Sequence, residues 1–131
     1  MKHLAIFGLL AGLLLMAVGC THTTRYSVKD PPAEGSAKAP THHEVGMLEF
    51  RYHPESLNVS VGDSVTWVNH GRLPHTTTSG VNGKPDGKWD SPHIGRGGRY
   101  SYVFSEPGVY HYYCIPHHGL GMKGVVVVTK P

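Results

Sequence analysis

Residues 109–129 read VYHYYCIPHHGLGMKGVVVVT, and the fold turns on how this stretch is read. Two short runs rich in Val and Tyr, 109–114 and 125–129, flank a loop of Ile, Pro, His, Gly, Leu and Met. β-Branched and aromatic residues in runs of this length predict strands. Strand parity places Tyr110, Tyr112 and Cys114 on one face, with His111 and Tyr113 on the other. If the aromatics and valines set the inner face, Cys114 points inward at the end of its strand and His111 points out.

Working outward, the same period recurs upstream. Leu48, Phe50 and Tyr52 alternate, then Leu57, Val59 and Val61, then Val65 and Trp67 after the turn VGDS, and later RYSYVF at 99–104. No eleven-residue stretch of this region keeps a helical period free of Gly or Pro. About seven short strands over 45–131 predict an all-β domain, a Greek-key sandwich of two sheets. The stretch 81–98 reads as a long loop with a short edge strand near Trp89. Trp67 and Trp89 are read as packing, and Tyr110 as core or a tyrosine-corner hydrogen bond.

Ahead of this domain the composition changes twice. Residues 1–19 carry Lys2, an apolar run from Leu4 to Val18 and small residues at the end. That run is short for a membrane span and reads as a secretory signal. Its end, Ala17-Val18-Gly19-Cys20, resembles the lipobox of bacterial lipoproteins. The resemblance implies that Cys20 is lipidated and anchors the protein on the outer side of a bacterial membrane, periplasmic or at the cell surface. Residues 20–44, including KDPPAEGSAKAPTHHE, hold almost no large apolar residue and predict a disordered tether. As a flexible coil the tether would reach roughly 25 Å.

Charge and cysteine content narrow the function. Twelve basic against nine acidic residues give a formal charge of +3 with no basic run, so nucleic-acid binding has no electrostatic support. The chain has two cysteines. With Cys20 acylated, Cys114 is left alone in an oxidising compartment, where metal ligation or burial would protect it.

The 114–122 loop offers thiolate, imidazole and thioether within nine residues: Cys114, His117 and Met122. Gly119 and Gly121 allow it to fold back tightly. A further ligand is expected from His75 in GRLPHTTTS, where Pro74 fixes the approach. Two histidines and a cysteine with a weak axial methionine form the blue-copper donor set, whereas zinc gains little from a thioether. His42, His43, His53, His70, His93 and His118 read as surface residues.

The spacing C-x2-H-x4-M, with PH about forty residues upstream, resembles the plastocyanin branch of the cupredoxin family. VGDSVTW, WDS and PGVYHYYC extend the likeness across residues 48–129. The resemblance implies a single type 1 copper on His75, Cys114, His117 and Met122, cycling between Cu(I) and Cu(II), with His117 nearest solvent. Around His117 stand Leu73, Pro74, Pro116, Gly119, Leu120 and Gly121, which predict a small apolar patch for brief contact with a redox protein such as a cytochrome, oxidase or reductase. Pro116 has no N–H to give the sulfur, so a single amide donor, that of Thr76, is expected. His118 and the basic RGGRYSY hairpin depart from the family pattern and bear on partner choice. The expectation is a monomeric, membrane-anchored electron carrier and not an enzyme, since Tyr113 and Ile115 flank the cysteine where wired copper enzymes place histidines. A copper chaperone or storage protein is the alternative.

Overall fold

A computed structural model of the chain describes residues 38–131. The expected signal over 1–19, the Cys20 anchor and the tether as far as residue 37 lie outside the described residues. Nine strands form: β1 His42–Leu48, β2 Arg51–His53, β3 Ser56–Ser60, β4 Ser64–Asn69, β5 Thr78–Val81, β6 Lys84–Asp90, β7 Arg99–Val103, β8 Gly108–Tyr113 and β9 Lys123–Thr129. Among the described residues one 3-10 helix, Ile115–Leu120, interrupts them.

The strands make two mixed sheets, ordered β2-β1-β4-β7 and β3-β9-β8-β5-β6. In each, one parallel ladder, β1 with β4 and β3 with β9, sits beside antiparallel ones. The sheets close on one core, to which Val45, Met47, Val65 and Trp67 come from the first and Tyr112 and Val126 from the second, all buried. The Trp67 and Tyr112 rings meet edge-on across the sandwich at 5.2 Å. Burying each such ring contributes about 2–3 kcal/mol. The all-β two-sheet sandwich is thus the architecture that the residue period implies.

Three local readings change. Leu48, Phe50 and Tyr52 do not share a strand: the chain turns at Glu49–Phe50, and Phe50 takes a left-handed φ of 61°. The expected 81–98 loop contains a full seven-residue strand, β6, in which Trp89 alone is buried. An edge strand exposed on nearly every residue need not alternate, and Pro85 and Gly87 hide it further. The first strand starts at His42, three residues before the expected boundary at Val45, because residues 42–44 pair in parallel with Ser64–Thr66.

Asp63 fixes that early start. It accepts hydrogen bonds from the Thr41 amide at 2.7 Å, the Ser60 amide at 2.9 Å and His43 Nε2 at 3.0 Å. Those amides hold its carboxyl well below the usual carboxylate range, with His43 adding to them. His43 is therefore tied to the domain rather than free at the surface. This cluster marks one pole of the sandwich; β4 and β8 carry the chain toward the other.

Candidate metal centre

At the far pole two segments meet. After β4, Asn69 is fully buried and spends its side chain on the next loop: Nδ2 donates to the carbonyls of Leu73 and Ile94, and Oδ1 accepts from the Gly71 amide. His75 then pairs with Ile94 in both directions, at 3.1 and 2.7 Å. The loop is fixed before His75 makes any contact through its ring.

The second segment closes on itself. Cys114 O accepts from the His117 amide, His117 O from the Met122 amide, and Met122 O from the Cys114 amide, at 3.1, 3.3 and 3.1 Å. These bonds explain the C-x2-H-x4-M spacing, since each residue holds the next by its backbone. Gly121 makes the closure possible with a φ of 83°, a conformation that side chains resist. Gly119 is not called on in this way. Thr76 joins the two segments, its Oγ1 accepting from the Ile115 amide at 2.8 Å.

Three donor atoms converge as a result. His75 Nδ1 lies 3.2 Å from His117 Nδ1 and 3.8 Å from Cys114 Sγ, and Sγ lies 3.4 Å from His117 Nδ1. The point equidistant from these three atoms is about 2.0 Å from each, the length of a metal–imidazole bond and close to that of a metal–thiolate bond. The residues therefore fit a metal ion by geometry as well as by chemistry. Cys114, His75 and Met122 are wholly buried, while His117 is partly open.

Electrostatics agree. Burial pushes the Cys114 thiol up, opposed first by the Thr76 amide. Burial, with His117 beside it, pushes His75 down. In this setting the uncharged forms prevail, so a cation must displace the thiol proton to be held. The Thr76 amide donates to Sγ at 3.4 Å, while the His117 amide donates to Cys114 O. Sulfur thus has the single amide donor expected from Pro116.

A profile of copper-binding proteins of the plastocyanin/azurin family matches residues 39–129. The chain belongs to that family. A chloroplastic plastocyanin of Physcomitrium patens is 39% identical over 90 residues, covering 64% of this chain and 52% of its own length. Amicyanin of Paracoccus denitrificans is 38% identical over 86 residues, covering 64% and 63%. The chain thus spans less than two thirds of the length of these relatives. A purple cupredoxin from Nitrosopumilus maritimus superposes with a TM-score of 0.61 at 34% identity, over 66% of this chain and 99% of that one. An amicyanin variant in its Cu(I) state gives 0.59 at 32% identity, over 67% and 82%. As in its family, the cofactor of this cupredoxin is one copper ion.

Other residues around the site escaped the sequence reading. The β1–β2 hairpin braces the segment that carries His75: Met47 O accepts the His70 and Gly71 amides, Glu49 Oε1 accepts the Arg72 amide at 2.8 Å, and Tyr52 Oη donates to Thr76 O at 2.6 Å. Phe50 meets the His117 ring edge-on at 5.2 Å, 80° between planes. Its left-handed backbone was the only local signal, and no Gly or Asn betrays it in the sequence. The apolar residues around His117 are exposed as expected, Leu73 at 40% and Leu120 at 63%, joined by Phe50 at 42%. His111 is exposed on the outer face, whereas Tyr113 is buried there with the His118 ring 5.8 Å away. His118 remains exposed, its Nδ1 2.8 Å from Ile115 O. Tyr110 Oη donates to Glu106 O at 2.8 Å, the corner bond foreseen for it.

Proposed function

We propose that the protein is an electron carrier in which His75, Cys114, His117 and Met122 hold a type 1 copper. The observation that carries this reading is the triangle of two imidazole nitrogens and one sulfur, with edges of 3.2–3.8 Å, fixed by backbone bonds before any ion arrives. When bound, copper supplies a one-electron couple that this mixed soft and borderline donor set holds in both oxidation states. The chain's part is to keep the donors still. Asn69, Thr76 and the closed Cys114–His117–Met122 ring resist rearrangement, so little geometry need change as charge comes and goes. Burial keeps water from three of the four ligands. His117 reaches the surface within an apolar patch, a short path for the electron and a weak, quickly released contact for a partner.

Met122 is the weak fourth ligand in this reading. Its side chain is wholly buried and its backbone is bonded to Cys114 and His117. A donor set enclosed in this way counts against a chaperone or store, which must exchange its metal, and its packed ligands leave no substrate position for an enzyme. Cys20 serves as the lipid anchor at the outer side of a membrane, with the residues between it and β1 as tether; among the described residues no helix is long and apolar enough to cross one. The domain works as a monomer whose partners are other redox proteins.

Loading the purified chain with Cu(II) tests the reading. It predicts one ion per chain and intense visible absorption, lost when Cys114→Ser removes the thiolate. A colourless Cu(II) form, or colour that persists in the serine variant, would contradict it.

A further inference from the structure

All four arginines among the described residues lie on the first-sheet side of the metal pole, spread from edge strand β2 to the opposite edge strand β7. Arg51 follows Phe50, whose ring touches His117. Arg72 lies in the loop before His75 with its amide on Glu49. Arg96 and Arg99 bracket the turn whose Gly97 amide and Gly98 carbonyl bond Asn69, and Arg99 pairs with Val68 near the end of β4. All four are exposed. Among the described residues the ion pairs are His43–Asp63, His70–Glu44 and Lys88–Asp86, so no guanidinium is spent on a carboxylate.

Lysines are placed differently. Lys84, Lys88 and Lys123 stand on the second sheet, with Lys123 alone of them beside Met122 at the metal pole, and Lys38 and Lys130 stand at the ends of the described chain. The residue type matters: a guanidinium is a rigid, weakly hydrated fork that matches a carboxylate with two parallel hydrogen bonds, which an ammonium does not. Unpaired arginines beside a dry patch are suited to carboxylates brought by another molecule.

We propose that this rim selects the electron partner: a redox protein whose exposed redox centre is ringed by Asp and Glu. Its apolar centre meets Phe50, Leu73 and Leu120 while its acidic rim meets the arginines. The inference rests on the electron-carrier reading and names the chemistry of the partner. Rim charges of this kind act mainly on encounter, raising association rates and aligning the two centres, and salt screens them over a Debye length of about 8 Å at physiological ionic strength.

The test uses the copper-loaded full chain and one probe in two charge states: a basic c-type cytochrome, and the same cytochrome made acidic by succinylating its lysines. Electron exchange is followed by stopped flow at low and high ionic strength. The succinylated form should react about tenfold faster at low salt, with the preference fading as salt rises. Arg96→Glu with Arg99→Glu should abolish or invert the preference, while Lys84→Glu with Lys88→Glu, an equal change in net charge on the other sheet, should leave it within about twofold. Arg72→Gln with Arg96→Gln, both in loops, gives the same reading without altering a strand and should weaken the preference. Exchange with no charge preference, or equal effects of the arginine and lysine pairs, overturns the acidic-partner inference alone. A copper-loaded protein that exchanges electrons with neither cytochrome overturns the carrier reading, and the inference with it.

Discussion

Each pole of the sandwich carries a cluster of buried polar groups, and the two are finished differently. At the Asp63 pole both carboxylate oxygens have partners, two amides and an imidazole, within 3.0 Å. At the other, Nδ1 of His75, Nδ1 of His117 and Sγ of Cys114 converge within 3.8 Å of one another, three lone-pair donors that a single cation can share. Native interiors satisfy nearly all their buried polar groups. A carboxylate closed by amide donors therefore reads as structure, and converging imidazole and thiol donor atoms as a place for a cation. The contrast also says what breaking each pole should cost: folding at the first, function at the second.

Copper removal should give the largest effect. With free copper a thousandfold above its dissociation constant, binding to the folded state alone contributes about 4 kcal/mol, and the apo form should melt roughly 15 °C or more below the loaded one. Calorimetry of both forms checks this; equal midpoints would erase the distinction between the poles. Next comes Asp63→Asn, which should lower the midpoint of apo and copper forms alike by several degrees and leave the visible spectrum untouched. Because the Asp63 carboxyl is held below its unfolded value, its stabilisation is fully present above about pH 4 and is lost as pH falls from there toward the folded value. Unfolding of wild type between pH 5 and pH 3 should therefore show a loss of stability that the Asn variant lacks.

Smaller effects belong to the rim of the metal pole. Leu120→Glu places a charge in the patch and should slow electron exchange with a redox protein about tenfold while the visible band stays in place. An unchanged rate would remove the patch from the account. Phe50→Asn keeps a residue that tolerates the left-handed backbone and deletes the ring against His117. Stability should change by less than about 1 kcal/mol, since Phe50 is 42% exposed. The electron paramagnetic resonance of Cu(II) should nonetheless shift, because the ring that limits His117 is gone.

What could be read from the residues follows how local each signal is. Cys114, His117 and Met122 were legible together because their backbone bonds span at most eight residues, so the geometry is written as spacing. His75 was legible only once that loop had posed the question of a further ligand. Asn69, Glu49 and Phe50 were not, since an asparagine that organises a loop and a turn that grips a distant ligand look like ordinary polar and apolar residues until the sheets assemble. The edge strand expected near Trp89 is there, but its length was hidden for the opposite reason: the pairing of β6 with β5 is carried by backbone, while its side chains, all but Trp89 in solvent, show no period. Tyr113 keeps the face that parity gives it, and it is buried because that face is covered there, with His118 packed against it.

The central claim is that two imidazoles and a thiolate bind one copper between them. X-ray absorption at the copper edge of the loaded chain addresses it most directly. The account predicts two nitrogen scatterers at about 2.0 Å and one short sulfur at about 2.2 Å, the sulfur vanishing in Cys114→Ser. A first shell of nitrogen and oxygen alone in the wild-type protein would contradict it.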